Sequence, residues 1–175
     1  MTSEYPNVDL EQIDIDEYTI NSLDDELRVD RLCVGLIRQM FQTLTQQQTH
    51  SPEQAGEMCH GIDYFLREFI IGDRCENLFT IAPERIRQFA GHWYIIRTVE
   101  PNMTELGGIL AGTKTFYRFL ADQGLISETL ATAIQTECDQ HDFYQQRIDD
   151  FWAIEGEGYD QWRAACPLEP ARELP

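Results

Sequence analysis

The chain has 175 residues, 42% of them hydrophobic, which is enough for one domain with a substantial buried core. Its formal net charge of -18, from 31 acidic and 13 basic side chains, repels other polyanions over most of a folded surface. Composition therefore disfavours a general nucleic-acid binder and a binder of anionic membranes.

The five cysteines are widely spaced and form no Cys-x-x-Cys pair, and the N-terminus does not look like a secretory signal. We therefore expect reduced thiols and a cytoplasmic protein. No apolar run approaches the roughly 18 residues that a transmembrane helix needs, so no membrane association is expected.

The charge is distributed unevenly along the chain. Residues 1–30 carry ten acids and one base, a net charge of -9, and residues 31–82 carry six acids and four bases, a net charge of -2. Residues 83–121 carry three acids and five bases, a net charge of +2, and residues 122–175 return to -9 with twelve acids and three bases. A mildly basic middle segment thus lies between two acidic ones.

The N-terminal segment, residues 1–23, alternates carboxylates with isolated apolar residues. Such a segment is too acidic to form its own core. We predict an extended acidic arm that lies along a groove of a single helical domain, residues 24–166. A Pro-containing tail, residues 167–175, follows the domain.

Helical periodicity begins near Asp24 and predicts a first long helix that ends near the polar run at residues 46–50. Ser51-Pro52-Glu53-Gln54 predicts the start of a second helix, with a capping serine, a proline in the first turn and a glutamine three residues after the cap. Gly72 predicts its end. The first two helices are thus bounded by local signals alone.

A third helix is predicted after Pro83, with Ile86, Phe89, Ala90, Trp93 and Ile96 on its buried face. It ends at Pro101, which cannot continue a helix. The sequence therefore predicts a short connection to the next element.

Asn102 and Glu105 predict the N-terminus of a fourth helix, whose interior contains Gly107, Gly108 and Gly112. Each glycine costs about 1 kcal/mol relative to alanine in a helix, so we interpret these positions as sites of close helix contact. Gly124 predicts where the fourth helix ends.

Ser127 predicts the cap of a fifth helix, which the apolar spacing extends as far as Trp152, and a short final helix is predicted around Tyr159 and Trp162. No segment alternates with a period of two for long enough to predict a sheet. The fold class predicted is all-α: a compact bundle of five or six helices.

Residues 60–130 resemble the SAM-like core-binding domain of the tyrosine recombinases, or phage integrases. The matching positions are Thr80, Pro83, Glu84, Phe89, Phe116, Tyr117, Phe119, Leu120, Gly124, Leu125 and Ile126. The resemblance implies a small helical bundle. It does not extend to the family's catalytic half, because the remaining residues offer no set of Arg, His-x-x-Arg and nucleophilic Tyr.

In that family the core-binding domain clamps DNA through basic helix surfaces. The resemblance implies that the basic residues at the corresponding positions of this chain are the candidates for binding DNA. They are Arg85, Arg87, Arg97, Lys114 and Arg118, and we call them the basic stripe. Five cations are few for binding driven by phosphate contacts. Alternatively, the stripe is vestigial, or it binds an acidic surface, for which the chain's own N-terminal arm is one candidate.

Metal-ligand spacing occurs twice. Glu57 and His60 match Glu-x-x-His, which places two ligands on one helix face, and Cys138 and His141 have a similar spacing. A complete site needs more ligands, so the favoured interpretation is surface Glu57, partly buried His60 and core Cys138. No metal or cofactor is therefore predicted.

The aromatic residues Trp152, Tyr159 and Trp162 have two interpretations: a partner-binding surface, since Trp and Tyr are enriched in interaction hot spots, or the cap of the bundle's end. The function expected is a non-catalytic interaction or regulatory module that binds a protein partner or its own copies. The alternatives are a DNA-binding accessory module using the basic stripe and a metal-dependent enzyme or sensor.

Overall fold

A computed structural model of the chain describes residue 6, residues 8–48 and residues 50–174. The described residues contain seven α-helices and no strand, which confirms the predicted all-α class. Five helices are uninterrupted: α1 (Leu23–Gln46), α4 (Met103–Asp122), α5 (Glu128–Cys138), α6 (His141–Trp152) and α7 (Tyr159–Ala165).

The other two helices contain wider π-helical turns. Helix α2 begins as Pro52–Asp63 and continues as the π-helical stretch Tyr64–Ile71. Helix α3 consists of Glu84–Gln88, the π-helical turn Phe89–Trp93 and Tyr94–Arg97. The wider turn places an additional residue in α3. The predicted burial of Ile96 is therefore wrong: Ile95 is fully buried and Ile96 is 39% exposed.

The predicted helix starts are confirmed by their caps. Ser51 and Gln54 form a reciprocal capping box, and the hydroxyl of Ser127 accepts from the backbone N–H of Leu130. Asn102 caps α4 by accepting from the N–H of Glu105 at 2.9 Å. The carboxylate of Glu105 instead accepts from the hydroxyl of Tyr94 at 2.8 Å, so it joins α4 to α3.

Helices α2 and α4 cross with their backbones in contact, and glycines make the crossing possible. A Cβ atom built on Gly112 would lie 2.3 Å from the carbonyl oxygen of Met58, and one on Gly61 would lie 2.7 Å from that of Gly108. Close contact was predicted for the glycines of α4. A Cβ atom on Gly107 or Gly108 would meet nothing within 4 Å, so at those two positions the glycine itself does not relieve a clash.

The predicted fifth helix is two helices, which gives seven where five or six were expected. Helix α5 ends at Cys138 and α6 begins at His141. The hydroxyl of Tyr144, on α6, donates to the carbonyl oxygen of Glu137 at 2.8 Å and so satisfies an acceptor at the end of α5. The break lets α5 pack on the first turn of α3 while α6 packs on its π-helical turn.

The described part of the N-terminal segment packs on the domain. It forms short 3₁₀ helices at Leu10–Gln12 and Ile15–Tyr18, and its side chains of Val8, Tyr18 and Ile20 are buried. Residues 1–5 and 7 of the predicted arm lie outside the described residues. A Cβ atom on Gly35 would lie 2.5 Å from a methyl carbon of Val8, so the glycine allows this segment to lie against α1.

The C-terminal segment runs back along the connection between α2 and α3. Arg85 contacts Glu169 at 2.8 Å, and the guanidinium of Arg172 donates to the carbonyl oxygen of Cys75 at 3.5 Å and to the amide oxygen of Asn21 at 3.4 Å. The C-terminal segment and the residue pair just before α1, Asn21 and Ser22, are therefore joined at this connection through Arg172 and Asn21. None of the described helices combines the length and the apolar character needed to cross a membrane.

Candidate functional site: an aromatic cleft at the C-terminal helices

Four aromatic rings form a row along α6 and α7. Ring centroids lie 5.8 Å apart between Trp152 and Phe151, 5.1 Å between Phe151 and Trp162, and 5.9 Å between Trp162 and Tyr159. Trp162, in the middle, is only 5% exposed, whereas Trp152 is 58% and Tyr159 39% exposed. The row is thus anchored in the core and presents aromatic surface at both ends.

A cleft of about 380 Å³ lies beside this row, between α6, the connection at residues 153–158 and α7. Its walls include Arg147 and Asp150 from α6, Glu155 from the connection, and Gln161 and Trp162 from α7. Gly156 has a φ of +58°, which glycine adopts without steric cost, so the connection can turn sharply and place Glu155 at the cleft.

Arg147 is buried beneath the row, with 4% of its surface exposed. Its Nε donates to the carbonyl oxygen of Gly91 in the π-helical turn of α3 at 2.9 Å, and its guanidinium lies 4.0 Å from the centroid of the Trp162 ring. Within the described residues it has no carboxylate partner, and its Nη2 has no hydrogen-bond acceptor. Burial lowers the pKa of Arg147.

His92 packs edge-to-face against the Trp162 ring, with centroids 5.2 Å apart. Its Nδ1 lies 2.6 Å from the carbonyl oxygen of Cys166, and a carbonyl can only accept, so the neutral ring carries its proton on Nδ1. Burial is the main cause that lowers the pKa of His92, with the charges of Arg147 and Arg163 acting in the same direction.

The thiols offer no activated nucleophile. Burial is the first cause that raises the pKa of all five cysteines: Cys33, Cys59, Cys75, Cys138 and Cys166. The pKa of Cys59 rises to about 11 and that of Cys138 to about 12. Because the thiolate is the reactive form, these side chains are unreactive near neutral pH.

The outer surface around the cleft is acidic. Residues 149–160 contain five exposed carboxylates and no basic residue: Asp149, Asp150, Glu155, Glu157 and Asp160. Arg163 contacts Asp160 at 3.5 Å, which leaves this surface a net charge of -4. We call this surface, together with Trp152 and Tyr159, the acidic aromatic face. Its chemistry suits the recognition of a cation by aromatic faces and carboxylates.

The structure thus brings together the three aromatic residues singled out from the sequence, but in different roles. Trp152 and Tyr159 are exposed, whereas Trp162 is buried and donates its indole N–H to the carbonyl oxygen of Arg147 at 2.9 Å. The sequence reasoning missed Arg147. Its position between Tyr144, Ile148 and Phe151, at helical spacing on an apolar face, was the available signal.

The basic stripe is neutralised by ion pairs. Arg85 pairs with Glu76 and Glu169, Arg87 with Glu137, Arg97 with Asp73, Lys114 with Asp139, and Arg118 with Glu128, at N–O distances from 2.5 to 3.4 Å. Of these partners only Glu169 belongs to a terminal segment. The stripe therefore offers an approaching polyanion five cations that already have carboxylate partners.

The candidate metal ligands are not assembled into a site. Glu57, His60 and His141 are exposed, contrary to the expected partial burial of His60, whereas Cys138 is buried. Among the residues that the structure describes, no group of three or more His, Cys, Asp or Glu side chains could hold a metal ion.

No protein-family model matches the chain, and no curated protein or solved structure is significantly similar to it. The resemblance of residues 60–130 to recombinase core-binding domains therefore stays a prediction.

Proposed function

We propose that this chain is a non-catalytic helical interaction module that binds a Lys- or Arg-containing segment of a partner protein through the acidic aromatic face. The observation that carries the proposal is the exposure of Trp152 and Tyr159 among five carboxylates. Cation–π contacts stabilise by about 0.5–1 kcal/mol at exposed sites and about 2 kcal/mol when desolvated, and complementary charge speeds encounter.

The anchoring of the row supports this function. Trp162 is held by its hydrogen bond to Arg147 and by the rings of Phe151 and Tyr159, so the exposed ring of Tyr159 stacks on a fixed support. Rigid aromatic side chains lose little conformational entropy on binding and dominate many interfaces. A second copy of the chain is a less suitable partner, because two faces of net charge -4 repel each other.

The test is isothermal titration calorimetry with a short synthetic peptide of lysine and arginine separated by glycine. We expect saturable binding that weakens as salt is added, because exposed charges are screened. Trp152→Ala should raise the dissociation constant at least about tenfold, equivalent to about 1.4 kcal/mol. Asp150→Asn combined with Glu155→Gln should also weaken binding.

Two matched variants control for general effects. Val99→Ala shortens an apolar side chain that is 91% exposed at another surface, and Glu53→Gln combined with Glu57→Gln removes two exposed carboxylates from α2. Neither change should alter the dissociation constant. If the control and test variants lose equal affinity for the peptide, the binding is nonspecific electrostatic attraction and the proposal is wrong. If the chain dimerises and Trp152→Ala abolishes the dimer, the partner of this face is a second copy of the chain and not a basic segment of another protein.

A further inference from the structure

A second cleft, of about 330 Å³, lies on another side of the bundle, between the end of α1, helix α4 and helix α5. Its size falls within the roughly 300–1,000 Å³ of small-molecule sites. The side chains of Leu44 and Phe119 line it and are 8% and 4% exposed, so the cleft has an apolar floor that belongs to the core.

Three charged residues line the cleft at four-residue intervals along α4: Lys114, Arg118 and Asp122. Residues four apart in a helix lie on one face with Cβ atoms about 5–6 Å apart. The row thus presents two positive charges followed by one negative charge. The amide side chain of Gln135, on α5, lies in the opposite wall and can donate and accept hydrogen bonds.

Both cations are held by exposed carboxylates, that of Glu128 in the first turn of α5 and that of Asp139 directly after its end. The Nζ atom of Lys114 lies 2.8 Å from Asp139, and a guanidinium nitrogen of Arg118 lies 2.6 Å from Glu128. The side chain of Asp139 is 47% exposed and that of Glu128 69%. Such surface pairs contribute only about 0–1 kcal/mol, so a ligand carboxylate can replace either partner at small cost.

The charges also select the kind of ligand. With Asp139 and Glu128 included and His50, which also lines the cleft, counted as neutral, three carboxylates and two cations give the cleft a formal charge of -1, which opposes a simple anion. A simple cation is repelled by Lys114 and Arg118. A molecule with both charges can place its carboxylate at the cations and its ammonium group at Asp122.

We propose that this cleft binds a small zwitterion with an apolar body, the chemistry of a free α-amino acid with an apolar side chain. Its carboxylate lies between Lys114 and Arg118, its ammonium group faces Asp122, and its apolar part rests on Leu44 and Phe119. The proposal does not depend on the acidic aromatic face.

The test is a titration followed by the backbone amide signals of α4 and α5 in NMR spectra, with phenylalanine, hydrocinnamate and phenethylamine as probes. These molecules share an aromatic ring but carry both charges, only the carboxylate or only the ammonium group. Phenylalanine should bind saturably and at least about tenfold more tightly than the other two, a difference of about 1.4 kcal/mol.

Substitutions of the charged residues at the cleft should change the affinities of the different probes in different directions. Asp122→Asn should weaken phenylalanine binding and strengthen hydrocinnamate binding. Glu128→Gln, which frees Arg118, should strengthen both. Lys114→Gln combined with Arg118→Gln should weaken both, whereas Arg87→Gln combined with Arg97→Gln removes two half-exposed cations elsewhere and should leave binding unchanged.

The proposal is wrong if phenylalanine gives no saturable shift, if the three probes bind equally, or if Asp122→Asn changes phenylalanine and hydrocinnamate binding in the same direction. Equal weakening in the Arg87 and Arg97 control would also overturn it. Trp152→Ala should not alter phenylalanine binding, so failure of this proposal is distinguishable from failure of the proposed protein interaction.

Discussion

Arg147 and Trp162 hold each other in the core by two contacts. The guanidinium of Arg147 lies 4.0 Å from the centroid of the indole ring, and the indole N–H donates to the backbone carbonyl oxygen of Arg147 at 2.9 Å. The hydrogen bond from Arg147 Nε to Gly91 adds α3 to this junction of α6 and α7. A buried guanidinium without a carboxylate partner is costly, so the aromatic face and the carbonyl must offset its desolvation.

Arg147→Ala should lower the free energy of unfolding by about 2–4 kcal/mol, because it leaves a cavity beneath Trp162 and removes the donor to Gly91. Arg147→Met restores most of the volume without the buried charge and should lower the free energy of unfolding by about 1–2 kcal/mol, because the carbonyl oxygen of Gly91 loses its donor. Urea unfolding measures both values. Both variants lose the polar contacts, so the difference between them measures the packing, and a methionine variant no more stable than the alanine variant would contradict the packing role.

Gly112→Ala should lower the free energy of unfolding by about 3 kcal/mol or more, because its Cβ atom would lie 2.3 Å from the backbone of α2 and the helices would have to separate. Gly107→Ala is the matched control on the same helix. Its Cβ atom meets nothing within 4 Å, so the higher helix propensity of alanine should stabilise by about 0.5–1 kcal/mol. Thermal unfolding followed by circular dichroism measures both, and equal effects would contradict the close crossing.

The titration of His92 should make stability fall in mild acid. Burial lowers the pKa of the folded ring below the ordinary value of 6.5. Between 6.5 and the lower folded value the unfolded chain binds more protons than the folded chain, so the free energy of unfolding decreases as the pH falls through this window. The stability is fully present above pH 6.5.

His92→Asn isolates this effect, because an asparagine amide can still donate to the carbonyl oxygen of Cys166 but does not titrate. The difference in the free energy of unfolding between the wild-type chain and the variant should shift in favour of the variant as the pH falls below 6.5. Urea unfolding at several pH values measures it. A difference that does not change with pH would show that folding does not lower the pKa of His92.

Duplex DNA should not bind this protein in a gel-shift titration, even at low salt. A carboxylate lies beside each cation of the basic stripe and repels phosphate groups even when an exposed ion pair opens, and the formal net charge of the chain is -18. If DNA binds, and binding is lost when Lys114 and Arg118 are both changed to Glu, this expectation is wrong and the DNA-binding alternative is supported.

The helix boundaries were largely predictable because they depend on local chemistry. Ser51, Asn102 and Ser127 each satisfy backbone N–H groups a few residues away, and Gly124 ends α4 with a φ of +73°. The buried face of α4 was also predictable, because helical spacing alone places Ile109, Phe116 and Leu120 on one side.

The division of the predicted fifth helix and the exposure of Ile96 were not predictable in this way. Neither Asp139 nor Gln140 is a strong helix-breaking residue, and the break is stabilised by Tyr144 and by packing on α3. Ile96 turns outward because the π-helical turn of α3 alters the spacing that a regular helix would keep.

By itself the sequence determined the helical class, most of the helix ends and the uneven distribution of charge, because these depend on neighbouring residues and on composition. Only the tertiary structure decided which charges cancel and which aromatic residues stay exposed. Glu76, Glu137 and Asp73 reach the basic stripe from other elements, and Trp162 is buried while Trp152 is not. Such pairings depend on how the helices cross, and side-chain spacing along one helix carries no information about its neighbours.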